Sequence, residues 1–146
     1  MRLSVHGLRL IISAVLLLAA SSMLIVHAHE IQVLPIHEKW NVKIVRVQPQ
    51  ATVPISGVLK SYQCHFYGQF YLDKGDIVQV TIYWTPDTAT LIVGLYNVET
   101  SKCQYKLVTG GSANVIFNIW TTGSYYVFIC NDSPHTVYYL GLITFE

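Results

Sequence analysis

The side chains able to do chemistry are few. His29, His37, His65 and His135 lie beyond the first 28 residues, together with Cys64, Cys103 and Cys130 and a scatter of carboxylates. If the chain is cut after Ala28, His29 becomes the terminal residue. Its amine and imidazole together could then chelate Cu(II), and Asp132-Ser-Pro-His135 could add His135 or Asp132, since imidazole and carboxylate both suit that ion. The plainer reading leaves His29 as an ordinary terminus beside a cleavage site and His135 as a turn residue.

Asp73 and Asp76 flank a turn, but Ca²⁺ wants six or more oxygens and few other carboxylates lie near them in sequence. Turn chemistry accounts for both. Acid–base catalysis would have to draw on Asp73, Asp76, Asp87 and Asp132, all in turn-like sequence, whereas catalytic carboxylates need a tuned environment. No GxSxG, HExxH, P-loop or GxGxxG pattern occurs. The expectation is a protein that is not an enzyme and needs no cofactor.

The cysteines contain no CxxC spacing, so zinc-ribbon and thioredoxin-type chemistry has no support. In an exported chain, three cysteines allow one disulfide and leave one thiol over. Closing a loop of this size adds about 3 to 4 kcal/mol.

Export is expected from the start of the chain. Arg2 and Arg9 are followed by apolar Leu10 to Ala20, and Val26-His27-Ala28 places small or apolar residues where a signal peptidase reads. Residues 1–28 therefore read as a signal peptide. The competing reading is an uncleaved anchor, which needs ~20 apolar residues. The membrane enters only through export unless that anchor is kept, and the mature protein is expected outside the cell or on its surface.

Removing Arg2 and Arg9 from nine Lys/Arg leaves seven against eight Asp/Glu, a mature charge near −1. No basic patch invites nucleic acid. Charged residues make up 12% of the chain, about half the usual share, so Thr, Ser, Asn, Gln and ten tyrosines must cover much of the surface. Such a surface repels its neighbours weakly.

No stretch beyond the leader shows helical periodicity. Short runs separated by turn residues predict strands at Ile31 to Leu34, Val42 to Val47, Val53 to Lys60, His65 to Leu72, Ile77 to Thr85, Leu91 to Asn97, Cys103 to Val108, Ala113 to Trp120, Tyr125 to Asn131 and Thr136 to Phe145. The turns between them carry Gly75, Pro86 and Gly110-Gly111. Val78, Val80, Ile82 and Trp84 alternate with polar positions, as a strand with one buried side requires.

Tyr125, Val127 and Ile129 are assigned to a core face, because Gly123-x-Tyr125 has the spacing of a tyrosine corner. Tyr126, Phe128 and Cys130 fall on the opposite face. They are too apolar for open solvent, so either that face is covered or it makes contacts. Gly68, Gly94 and Gly141 lie inside strands, where an overlying ring or a bulge is expected.

The succession Phe70-Tyr-Leu-Asp-Lys-Gly-Asp-Ile-Val-Gln-Val, Ala89-Thr-Leu-Ile-Val-Gly-Leu-Tyr and Gly123-Ser-Tyr-Tyr-Val-Phe-Ile-x-Asn, closed by a Tyr-rich strand, resembles the bacterial pre-peptidase C-terminal domain from about Ser56 to Glu146. The resemblance implies an all-β, antiparallel, jelly-roll-like sandwich of about 8–10 strands. It also implies a non-catalytic module of the kind that accompanies secreted enzymes, here expected without an enzyme attached. The domain reading is a leader at 1–28, an extended segment or edge strands at 29–55, and the sandwich at 56–146. Threaded on such a sandwich, Cys64 and Cys103 fall near one end and are expected to pair, leaving Cys130 as a free thiol.

Residues 29–50 are expected either to form an edge strand or to add to a neighbouring subunit's sheet. The functional expectation is a secreted binding or structural module contacting an extracellular protein or polysaccharide, or a further copy of itself. Tyr126, Phe128, Tyr138, Asp132 and His135 are the expected contact residues. A self-assembling filament subunit using 29–50 and a copper protein using His29 and His135 are the alternatives.

Overall fold

The computed structural model describes residues 40–48 and 50–146. Nine strands are formed and, among the described residues, no helix: β1 Asn41–Arg46, β2 Thr52–Leu59, β3 Gln63–Leu72, β4 Ile77–Thr85, β5 Leu91–Asn97, β6 Lys102–Val108, β7 Ser112–Asn118, β8 Gly123–Asn131 and β9 Val137–Phe145. Nine of the strands expected from the sequence are present. The expected strand at Ile31 to Leu34 and the leader lie outside the described residues.

The strands form two sheets, ordered β1-β3-β8-β5-β6 and β2-β9-β4-β7. Every pairing is antiparallel except β1 with β3, which is parallel and sets Asn41 opposite Gln63. Val42 to Arg46 thus belong to an edge strand of the chain's own sheet. The rest of the expected 29–50 segment before residue 40 lies outside the described residues.

Between the sheets lies the main core. Val80, Ile82, Phe117 and Ile143 of one sheet meet Phe70, Leu91, Val93, Tyr125, Val127 and Ile129 of the other. The tyrosine corner forms, with the Tyr125 hydroxyl donating to the Thr121 carbonyl at 2.6 Å, and Trp120 packs edge-on against the Tyr125 ring.

A second cluster lies on the far side of the five-stranded sheet, gathering Trp40, Val42, Phe66, Ile92, Tyr96, Cys103, Tyr126, Phe128 and Cys130. This corrects the expected contact role of Tyr126 and Phe128. Their exposures are 6% and 0%, and rings from neighbouring strands pack against theirs. Phe128 stacks on Phe66 with centroids 5.1 Å apart, and it lies over Gly94, where any Cβ would overlap the ring. Closure on both faces explains why β3, β5 and β8 are buried almost throughout while β4 alternates.

The expected Cys64–Cys103 pair is also corrected. Cys64 is bonded to Cys130, and Cys103 is the free, buried thiol. Cys64 and Cys130 are direct partners in the β3–β8 register, with Cα atoms 4.1 Å apart, the close approach found at non-hydrogen-bonded antiparallel positions. Cys103 sits on β6, separated from β8 by β5. Burial pushes its thiol up to about 12, which leaves it protonated and inert.

The Asp73–Asp76 turn closes on itself: the Asp76 carboxylate accepts from the Asp73 amide at 2.9 Å and the Asp73 carbonyl accepts from the Asp76 amide at 3.0 Å. The turn after β8 is built on buried Asn131. Its side-chain amide donates to the carbonyls of Leu59, Lys60 and His135, and its oxygen accepts from Ser133.

Candidate docking face and adjoining cleft

The sequences of β2, β4, β7 and β9 contain no Asp, Glu, Lys, Arg or His. Because these four strands make up one whole sheet, its outer surface is free of charge. Alternation turns Val53, Ile55, Val78, Val80, Val115 and Tyr139 inward and puts Val58, Tyr83, Ile116, Tyr138, Leu140 and Leu142 outward, each at least 45% exposed.

Register gathers the outward residues. Tyr138 lies opposite Val58, Leu140 lies opposite Tyr83 and Ser56, and Leu142 lies opposite Pro54. The β4–β7 side is more polar: the Gln79 side-chain amide donates to the Asn114 oxygen at 2.9 Å. A shallow hollow of ≈ 410 Å³ opens between Tyr83, Tyr138, Leu140 and Gly111, floored by Trp84 and Tyr139. At about 4.8 Å per strand and 3.3 Å per residue, four strands of this length span roughly 500 Å² in plan. Apart from Ile116, the exposed apolar side chains occupy the β2–β9–β4 part of that area, and the Gln79–Asn114 side is polar.

Along the β2 edge a second opening, ≈ 390 Å³, runs between the two sheets, lined by Lys43, Val45, Ser56, Gly57, Val58, Lys60, Gln63, His65 and Tyr67. At its wall the sheets are joined by polar atoms. His65 Nδ1 lies 2.6 Å from the Tyr139 hydroxyl, which is hydrogen-bonded in turn to the Tyr67 hydroxyl.

Two proton arrangements satisfy this chain. In one, Tyr67 donates to Tyr139 and Tyr139 to Nδ1; in the other, Nδ1–H donates to Tyr139 and Tyr139 to Tyr67. Burial holds the Tyr139 and Tyr67 phenols above their ordinary value. Burial, with the Lys43 charge beside it, lowers His65 to about 4, so all three groups are neutral near pH 7. Gly57 leaves room for the imidazole, since a Cβ there would stand 3.0 Å from His65 Cε1 and 3.1 Å from Nδ1.

Of the residues singled out from the sequence, Tyr138 lies on the open face. Asp132 and His135 sit in the turn after β8, where the Asp132 amide donates to the Thr90 carbonyl and the His135 carbonyl accepts from Asn131. His29 and His37 lie outside the described residues, and among the described residues no three His, Cys, Asp or Glu side chains are grouped to hold a metal. The His65–Tyr139–Tyr67 chain was not anticipated. His65 and Tyr139 are 74 positions apart, and the one local signal was a His two residues from Tyr67 on what proved to be a core-facing side.

No protein-family model and no curated protein matches the chain. Solved structures do. The periplasmic g-type lysozyme inhibitor PliG of Aeromonas hydrophila superposes with a TM-score of 0.57 at 11% identity, covering 73% of this chain and 98% of that one. The pre-peptidase C-terminal domain of a Bacillus anthracis collagenase gives 0.51 at 13% identity, over 75% and 99%. PliG of Salmonella Typhimurium gives 0.46 at 18%, over 71% and 99%. The chain thus shares its β-sandwich fold with the Aeromonas PliG and the collagenase domain, and at these identities the likeness is one of fold.

Proposed function

We propose that the protein is an exported, non-catalytic binding module that docks a protein partner on the outer face of its four-stranded sheet. The observation that carries this reading is a complete sheet face without charge that leaves Val58, Tyr83, Ile116, Tyr138, Leu140 and Leu142 open to solvent. Aliphatic side chains outnumber aromatic ones there, which favours a protein surface over the row of rings that a polysaccharide stacks upon. The hollow beside Tyr83 and Tyr138 suits one anchoring side chain from the partner. The Cys64–Cys130 disulfide fits an oxidising compartment outside the cytoplasm. The fold is shared with PliG, a periplasmic inhibitor of another protein, which is compatible with a partner of this class.

A photo-crosslinking residue placed at Leu140 of the full chain, expressed in its own host, tests the reading. Discrete protein adducts that disappear when Tyr83→Glu is added are expected, with none from a crosslinker at exposed Leu107 on the other sheet. Absence of adducts at Leu140, or the same adducts from Leu107, overturns it. Adducts at twice the chain's own mass would identify the partner as a second copy.

A further inference from the structure

The opening between β2 and β3 has a character distinct from the uncharged face beside it. Its lining includes two cations, Lys43 and Lys60, and no carboxylate. Lys43 sits directly opposite His65 across the β1–β3 ladder, and Lys60 lies at the end of β2, where its amide donates to the Gln63 side chain. Between them are the Ser56 hydroxyl and the His65–Tyr139–Tyr67 chain, while Val45 and Val58 supply apolar walls. Each proton arrangement of that chain leaves one unused donor, His65 Nε2–H or the Tyr67 O–H, on a residue that lines the cleft.

We propose that this cleft binds a carboxylate carried on a short alkyl stem, with Lys43 and Lys60 pairing the anion and Val45 and Val58 packing on the stem. The volume, ≈ 390 Å³, exceeds what a bare inorganic anion fills. The apolar walls would be left without a partner by phosphate. The inference stands apart from docking on the sheet face: the cleft shares Ser56 and Val58 with that face, but neither lysine.

The groups facing His65 are Lys43 from β1, Lys60 from the β2–β3 turn, Tyr67 beside it on β3 and Tyr139 from β9; its β8 neighbour is Ile129, uncharged. Every fixed charge among them is positive. An incoming carboxylate opposes their effect and favours a protonated imidazole, so binding takes up a proton and tightens as pH falls from 7 toward 5.

The test is NMR titration of the full exported chain, following the His65 ring, with three probes: glutarate, acetyl-Gly-Glu-Gly-amide and inorganic phosphate. Saturable shifts at His65 with glutarate or the peptide are expected, at least tenfold weaker in the Lys43→Gln/Lys60→Gln double variant and unchanged in Lys102→Gln/Lys106→Gln. Tighter binding of the peptide assigns the carboxylate to a protein side chain, and tighter binding of glutarate assigns it to a free acid. Phosphate binding more tightly than both, no saturable shift at His65, or equal losses in the two lysine variants overturns the proposal. All four lysines are solvent-exposed, so the variants retain the fold, and neither experiment reads the Leu140 face.

Discussion

Cys64 and Cys130 face each other across β3 and β8 on the side of the sheet turned away from the main core, their Cα atoms 4.1 Å apart. The bond joins residues separated by 66 positions, and by loop-closure entropy it adds about 4 kcal/mol. The Cys64→Ser/Cys130→Ser variant is expected to melt roughly 15 °C lower, at about 4 °C per kcal/mol for a domain of this size. Differential scanning calorimetry of the oxidised wild type and the variant measures it; a difference under about 3 °C contradicts the assignment.

The remaining thiol should be silent. Cys103 is 1% exposed and protonated at any ordinary pH, with burial raising it to about 12. Native protein is expected to give no fast reaction with a thiol reagent at pH 8, and one equivalent per chain after unfolding without reductant. Labelling of Cys130 under those conditions would restore the pairing expected from the sequence.

Tyr139→Phe removes the hydroxyl that His65 and Tyr67 share and leaves two buried polar groups unpaired. A loss of about 1–3 kcal/mol is expected, read as a lower urea midpoint with an unchanged slope. Tyr67→Phe takes away only the end of the chain and should cost less. Equal losses would mean that the shared hydroxyl has no special place.

The pH dependence follows from the direction of the His65 shift. Its folded value, about 4, lies below the ordinary 6.5, so the unfolded chain binds more protons between these limits and the neutral ring stabilises the fold above them. Stability from this residue is fully present above pH 6.5 and is lost as pH falls toward 4. The variant His65→Gln is expected to flatten the curve of melting temperature against pH in that window. A wild-type curve already flat between pH 6.5 and 4 counts against a buried neutral imidazole.

Phe128 and Tyr138 make opposite predictions from similar side chains. Phe128 is closed over Gly94 and stacked on Phe66, so Phe128→Ala is expected to cost about 3–5 kcal/mol. Tyr138 is 60% exposed, and Tyr138→Ala should stay within about 0.5 kcal/mol while weakening whatever docks on the face. Chemical denaturation of both variants separates core from contact surface.

Strand positions were legible because each is a local pattern: alternation in Ile77–Thr85, turn chemistry at Asp73–Asp76 and the corner spacing of Tyr125 all act within a few residues. What was not legible depends on which strands become neighbours. Cys64 meets Cys130 because β3 lies next to β8, and β5 separates Cys103 from them. The far face of β8 is buried, its rings packed beside those of β3 and β5, so its apolar character reflected packing and not an open surface. The absence of charge in β2, β4, β7 and β9 was visible strand by strand. Only the sheet order joins those four strands into one surface.

That absence of charge also bears on the chain before it folds. Charged residues and prolines flanking or interrupting apolar strands act as gatekeepers against intermolecular pairing. Of the four strands, β2 alone is interrupted, by Pro54; β4 and β9 are guarded at their ends, by Asp76, Pro86 and Asp87 and by Glu146, and β7 has no such residue within or next to it. The uncharged face of the native sheet therefore also leaves the unfolded chain open to intermolecular strand pairing until the sandwich closes.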